Sequence, residues 1–194
     1  MENNLNADYW QERWQDGNTP WDIGGVSPAI QRYFDQMDSQ ATILIPGAGA
    51  GHEADYLWKR GYKNVYICDW AAGALSALQA RLPDFPAQQL LQEDFFKLDI
   101  KVDYLVEQTF FCAISPDLRS SYVEKAYSLL KTGGEVGGLL FARPFPFQGP
   151  PFGGEREEYL GLFGTRFEVI EMQVSPHSIP PRLGNELFFR CRKV

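Results

Sequence analysis

Residues 41–51 read A-T-I-L-I-P-G-A-G-A-G. The run Thr42–Ile45 has the apolar, β-branched content of a buried strand, and it feeds directly into glycines at alternate positions, Gly47, Gly49 and Gly51. Such a turn takes backbone angles that a Cβ forbids and lets ligand atoms come close to the main chain. The amides that open the following helix would suit an anionic group. Asp69 closes the next strand, N-V-Y-I-C-D, about twenty residues on, where an acidic side chain can take both hydroxyls of a ribose. Strand, glycine turn, helix and acidic strand end together specify a nucleoside-binding α/β unit.

The glycine spacing narrows the ligand. Dinucleotide folds favour G-x-G-x-x-G, whereas here the third glycine comes one position earlier and His52 and Glu53 follow. A carboxylate in the first helical turn would repel a pyrophosphate. The G-x-G-x-G form, with Gly47, Ala48 and Gly49 at its centre, resembles the first motif of class I S-adenosylmethionine-dependent methyltransferases, whose ligand carries no phosphate.

The chain has 194 residues, enough for one domain spanning 1–194 and too few for two comfortable ones. Its net charge of -7 offers no Lys/Arg stripe to a phosphate backbone, which argues against a nucleic-acid partner and for a small cationic or neutral molecule. No apolar run reaches membrane-spanning length and no charged-then-apolar leader opens the sequence, so no membrane partner and a cytoplasmic location are expected. Cys68, Cys112 and Cys191 are far apart, form no C-x-x-C pair and sit in apolar runs, so they read as buried free thiols. With only His52 and His177 as histidines, no metal site is expected; His177, between prolines, reads as structural.

Near the start, D-Y-W-Q-E-R-W-Q-D-G-N-T-P-W-D places Tyr9, Trp10, Arg13 and Trp14 on one helical face, with a stop at Gly17 and an extended turn into Trp21. These aromatics either pack on the domain or form a lid over residues 1–25, since tryptophan faces attract cations and a sulfonium is one. Both can hold together. A helix over Ser27–Met37 is expected with Ser27 as N-cap and Pro28 at its first position. Further helices are expected over Gly51–Arg60, closed by Gly61, and over Ala72–Leu82. A third strand is expected over 87–92, followed by Asp94 and Phe95, which can serve an adenine amino group and ring at the strand's C-terminal end. Strand four, V-D-Y-L-V-E-Q, brings Glu107 and Gln108 to the same edge. S-P-D then starts a helix with Ser115 as N-cap that runs to a stop at Gly133–Gly134, and strand five follows. Residues 143–154, R-P-F-P-F-Q-G-P-P-F-G-G, can be neither helix nor central strand and read as a pocket wall carrying Phe152. Two closing strands joined without a helix suggest a terminal antiparallel hairpin.

Four stretches make the match specific: W-Q-E-R-W with T-P-W-D; I-P-G-A-G-A-G; F-F-C-A-I-S-P-D-L-R; and Q-G-P-P-F with P-H-S-I-P-P-R-L-G. Over nearly its whole length the chain resembles the thiopurine S-methyltransferase family, and within it the plant-type halide and thiol methyltransferases. The resemblance implies a mostly parallel seven-stranded Rossmann-like sheet with helices on both faces and a C-terminal antiparallel strand, and S-adenosyl-L-methionine as cofactor. It places cofactor contacts at Trp10, Trp14, Trp21, Asp69, Asp94, Phe95 and Gln108, and has Trp21 and Gln108 face the substrate, with Phe152 and Arg119 as further substrate candidates. Two departures are visible. Ala48 stands where the family often has cysteine, and Glu107-Gln108 stands where the thiopurine branch tends to show Asp-Arg and the halide branch Asp-Tyr, so the acceptor is left open.

The expected reaction is methyl transfer to a small soft nucleophile, a thiol, thiocyanate or halide, by a monomer. Such acceptors need no proton removed in the transition state, so positioning and exclusion of water are the enzyme's main contribution, and no catalytic base is assigned. Arg119 and Arg143 are the cations that could favour a thiolate. The rivals are transfer to an oxygen or nitrogen, with Glu107 as base, and a sensor that binds the cofactor without turnover.

Overall fold

The computed structural model describes residues 5–147 and 149–194; the lid is therefore followed from Leu5, and the loop 143–154 without Gln148. Strands β1 (Ile43–Pro46), β2 (Val65–Cys68), β3 (Leu90–Leu91), β4 (Val102–Gln108), β5 (Leu130–Phe141), β6 (Glu168–Val174) and β7 (Glu186–Arg192) form one sheet in the order β3-β2-β1-β4-β5-β7-β6. The pairs from β3 to β5 are parallel, and β7 lies antiparallel between β5 and β6. The closing hairpin is as the sequence suggests.

Strand alternation divides the core between two faces. Leu44, Leu105, Val136 and Leu140 pack with Tyr122, Val123, Tyr159 and Phe163 from helices α5 (Arg119–Leu129) and α6 (Arg156–Phe163). On the other face Ile43, Ile45, Val65 and Ile67 meet Ile30, Leu57 and Leu75 from α2 (Pro28–Phe34), α3 (His52–Lys59) and α4 (Ala72–Arg81). Each large side chain enclosed in this way contributes about 1.5–3 kcal/mol of hydrophobic stabilisation. From β1 the chain moves outward through α3, β2, α4 and β3, and then returns to place β4 on the opposite side of β1. This reversal opens a crevice at the C-terminal ends of β1 and β4, where open α/β sheets bind ligands.

Several boundaries differ from the sequence reading. Of the expected strand 87–92 only Leu90–Leu91 pairs, with Ile67 and Cys68; Ala87–Gln89 form a 3-10 turn after Pro86, and the Gln89 amide donates to the Lys63 carbonyl at 2.7 Å. At a sheet edge these polar residues have no second strand to hold them extended. Gly133–Gly134 do not stop a helix. The helix ends at Leu129, and both glycines lie inside β5, where the amide of Gly133 donates to the Lys193 carbonyl at 2.8 Å and a Cβ at Gly134 would stand 2.8 Å from the Asp103 carbonyl. A left-handed φ of +79° at Gly133 and a close backbone approach at Gly134 together produced a glycine pattern that looks like a helix end. Ser27 precedes α2 without a side-chain capping bond, its buried hydroxyl has no partner, and α2 ends at Phe34. Ser115 likewise makes no capping bond: a 3-10 turn, Pro116–Leu118, comes before α5.

Candidate active site

The glycine turn behaves as its composition demands. Gly47, Gly49 and Gly51 have φ of +58°, +50° and +67°, the left-handed region that L side chains rarely enter. The Gly47 amide donates to the Cys68 carbonyl at 2.7 Å, tying the turn to β2. The Phe110 ring lies against Gly47, the Leu78 side chain under Gly51, and a Cβ on Gly49 would come within 3.3 Å of Trp21 Nε1. Asp69 is bound to the turn directly: its Oδ2 accepts from the Gly49 amide and its Oδ1 from the Ala71 amide, both at 2.9 Å. Burial raises its pKa against these two bonds. Arg81 holds the turn from α4 through the Ala50 carbonyl at 2.5 Å.

Between the turn and the end of β4 lies an open cleft. Gly47, Ala48 and Gly49 form its floor, Trp21 and Ile23 one wall, and Gln108 and Thr109 another. Gln108 turns a buried Oε1 that has no hydrogen-bond partner. His52 Nε2 and Asp22 Oδ1 lie 2.8 Å apart on the cleft lining, and Gly24 donates its amide to the same Asp22 oxygen at 2.8 Å. Partial burial works upward on Asp22, but the Gly24 amide and His52 hold its carboxyl below the usual range. Glu53, also on the lining, is pushed upward by burial.

Of the early aromatics Trp21 lines the cleft, Trp10 packs on Trp21, and Trp14 packs on α4. Helix α1 (Ala7–Gln15) is capped by Asn6, which accepts from the Tyr9 amide at 3.0 Å, and it buries no residue fully. Its attachments are therefore countable. Trp10 meets Trp21 edge-on with centroids 5.5 Å apart, the Arg13 guanidinium stands 5.2 Å from the Trp21 ring, and Gln11 Oε1 accepts from the Gly73 amide at 3.2 Å. Trp14 packs on the bare face of Gly73, where a Cβ would stand 2.5 Å from its ring.

The remaining candidates lie around the same edge. Asp94 Oδ1 accepts from the Phe96 amide at 2.9 Å. The Phe95 ring is turned inward, 3% exposed and stacked on Tyr122 at 5.3 Å, because this short turn sits over the α5 core. Phe110, against the edge of Phe95 at 5.2 Å, carries that aromatic column on to the glycine turn. Arg119, with a side chain 6% exposed, pairs with Glu158 at 2.7 Å and donates to the Gly153 carbonyl at 2.8 Å. The Phe152 amide donates to the Cys112 carbonyl at 2.6 Å, so the 143–154 loop is tied to the segment after β4. Arg143 stands 5.2 Å from the Phe145 ring, and Phe147, stacked on Phe145, is 52% exposed. Glu107 faces away from the cleft, its side chain buried on the α5 and α6 side of the sheet.

Sequence reasoning missed three participants. Phe110 opens the quoted F-F-C-A-I-S-P-D-L-R stretch, without a role having been drawn from it. The His52–Asp22 pair joins residues thirty positions apart. Arg182, which donates to the Trp21 carbonyl at 3.4 Å and lies over Phe141, lies in the quoted P-H-S-I-P-P-R-L-G stretch without a role having been drawn from it. All three cysteines are free and buried. Among the described residues no cluster of His, Cys, Asp or Glu is gathered for a metal, and no helix is long and apolar enough to cross a membrane.

A floor of glycine and alanine, an orphaned acceptor at Gln108 and the Trp21 wall fit a nucleoside ligand bearing a cationic centre. With the crevice at the β1/β4 reversal, they define an S-adenosylmethionine-dependent methyltransferase. The crystal structure of Burkholderia thailandensis 1,6-didemethyltoxoflavin-N1-methyltransferase, with bound 1,6-didemethyltoxoflavin and S-adenosylhomocysteine, has the same fold: the TM-score is 0.80 over 98% of this chain and 88% of that one, at 19% identity. Thiocyanate methyltransferase 1 of Brassica oleracea is 29% identical over 195 residues, covering 95% of this chain and 84% of that protein. The Arabidopsis thaliana protein named "Probable thiol methyltransferase 2" is 30% identical over 190 residues, with the same shares of 95% and 84%. The profile of the thiopurine S-methyltransferase family matches residues 5–182, and the chain belongs to that family.

Proposed function

We propose that this enzyme moves a methyl group from S-adenosylmethionine to a small soft nucleophile, a thiol, thiocyanate, halide or thiopurine-like thiol. The observation that carries this reading is the chemistry beside Gln108. Its neighbour in sequence, Glu107, has its side chain buried behind the sheet and is not aimed at the cleft as a base; the carboxylates on the lining are those of Asp22 and Glu53. When bound, the cofactor supplies a methyl carbon made electrophilic by a sulfonium. The residues of the chain then bind, orient and exclude water. Asp69 is placed to exchange its amide partners for ribose hydroxyls, Asp94 serves the adenine, and the main chain of Gly47, Ala48 and Gly49 lies along the ligand. Trp10, Trp14 and Trp21, in a lid drawn from residues 1–25, shield the cation. Gln108, Trp21 and Phe152 bound the acceptor, with the 143–154 loop as wall and Arg119 fixing that wall from behind. We assign the chain as one domain acting as a cytoplasmic monomer on small molecules, with no nucleic-acid partner.

The test is methyl transfer to thiocyanate, iodide, hydrosulfide and an aromatic thiol in one buffer. Turnover of at least one is expected; turnover only of hydroxyl or amine acceptors would overturn the reading. One observation favours that second reading, transfer to oxygen or nitrogen: His52 and Asp22, 2.8 Å apart on the cleft lining, form a pair able to take a proton. His52→Gln separates the two, abolishing transfer if His52 is a base and leaving soft-nucleophile transfer within a few-fold otherwise.

A further inference from the structure

Glu107 is 1% exposed, an uncommon position for a carboxyl group. It is the next-to-last residue of β4, and strand alternation puts it on the same face as Leu105, beneath α5 and α6, while Gln108 reaches the cleft. Its Oε2 accepts from two successive amides, Phe110 at 3.0 Å and Phe111 at 3.1 Å. Between Glu107 and these amides the chain makes a demanding turn: Thr109 has φ of +65°, a left-handed angle held by a non-glycine residue, and its hydroxyl donates to the Gln108 carbonyl at 2.6 Å. A turn of this kind persists only when its surroundings over-determine it. The strand backbone at Glu107 is fixed as well, because β5 passes so close that a Cβ on Gly138 would run into the Glu107 carbonyl.

What the turn carries is the site. It aims Gln108 into the cleft, lays Phe110 on Gly47 and presents the Cys112 carbonyl that anchors Phe152 of the wall loop. We propose that Glu107 is a positioning residue: by accepting from the Phe110 and Phe111 amides it holds the 108–112 turn that joins the glycine floor, Gln108 and the 143–154 wall into one site. This rests on the cofactor reading given above.

The second carboxyl oxygen shows which form does this. Oε1 is buried without a hydrogen-bond partner, a costlier place for half of a carboxylate than for a neutral hydroxyl. Around it stand Glu186 on β7, Cys112 beyond the turn, Tyr122 on α5 and Tyr159 on α6. The guanidiniums of this region, Arg119 and Arg182, are taken by Glu158 and Glu186. Burial pushes the Glu107 carboxyl up to about 7, the two amides working against it and Glu186 with it. Below that pH the neutral acid holds the turn, Oε2 accepting and Oε1 carrying the proton. Ionisation brings a second negative charge towards Glu186, which faces it. A glutamine reproduces the neutral acid, with one oxygen for both amides and hydrogens in place of the proton; an alanine reproduces nothing.

The test compares wild type, Glu107→Gln and Glu107→Ala by amide hydrogen exchange at Phe110 and Phe111 and by S-adenosylhomocysteine titration, from roughly pH 5.5 to 8.5. In Glu107→Ala the two amides should exchange like open loop and affinity should fall about tenfold or more. Glu107→Gln should keep both properties at pH 6 and hold them above pH 8, where wild type weakens. Unchanged protection in Glu107→Ala, or parallel pH profiles for wild type and Glu107→Gln, would overturn the proposal. Loss of methyl transfer in Glu107→Gln with protection and affinity intact would make the group a base instead. If Glu107→Ala does not fold, the pH comparison of the other two decides. If the wild type binds no S-adenosylhomocysteine, the cofactor reading fails, and exchange at the two amides still reports whether Glu107 holds the turn.

Discussion

Gly73 tests the aromatic cover because two effects of one methyl group run in opposite directions there. Gly73 is the second residue of α4, and replacing a helical glycine by alanine stabilises a helix by up to about 0.5–1 kcal/mol. The same Cβ would stand 2.5 Å from Trp14 Cδ1 and 3.0 Å from its Nε1, where carbon contacts settle at about 3.5–4.0 Å. The indole must therefore retreat by about 1 Å. Helix α1 buries no residue, so it will yield rather than α4. Retreat also strains the bond from the Gly73 amide to Gln11, worth about 0.5–1.5 kcal/mol. With the lost indole contact, closure of the cover should weaken by about 1–2 kcal/mol, or roughly 5–30-fold. Gly73→Ala is thus expected to melt no lower than wild type, to bind S-adenosylhomocysteine about tenfold more weakly and to be cut faster by trypsin after Arg13. Unchanged affinity and unchanged cleavage, in a protein of unchanged stability, would refute the reasoning that Trp14 seats the cover on Gly73.

Asp69→Asn leaves one acceptor oxygen where the amides of Gly49 and Ala71 need two, so the glycine turn should lose about 1–2 kcal/mol and cofactor affinity at least tenfold; calorimetry and thermal melts check both. Arg119→Met keeps an apolar body against Phe111 and Tyr159 but gives up the Glu158 pair and the Gly153 bond. It should raise KM for the acceptor while S-adenosylhomocysteine affinity holds, which steady-state kinetics and titration separate. Glu107, raised from 4.5 to about 7, binds its proton more tightly in the folded chain. Its contribution to stability is whole below pH 4.5 and is lost as pH rises through 7, about 3 kcal/mol in all. Urea unfolding of wild type against Glu107→Gln should show that difference growing between pH 4.5 and 7; a constant difference would contradict the assignment.

What the sequence made legible is local. The run from Thr42 to Gly51 predicts strand, left-handed turn and helix because each step is dictated by near neighbours, and Asp69 follows from the spacing of one βαβ unit. The closing hairpin is equally readable. Signals fail where distant backbone decides. Gly133 and Gly134 resemble a helix stop, yet Gly133 is there for a left-handed φ of +79° inside β5 and Gly134 because the Asp103 carbonyl approaches it across the sheet. Phe95 is buried against Tyr122, and it is Phe110, on the edge of Phe95, whose ring lies against Gly47. Glu107 sits beside Gln108 in the chain and behind the sheet in space, because β4 alternates its faces. Ser27 and Ser115 have the composition of caps, but neither side chain bonds a first-turn amide.

The most direct test of the central claim is calorimetric titration of the full chain with S-adenosylhomocysteine, followed in the same buffer by methyl transfer to thiocyanate, iodide, hydrosulfide and an aromatic thiol. Stoichiometric, micromolar binding with turnover of at least one acceptor is the predicted result, and no binding at all would contradict it.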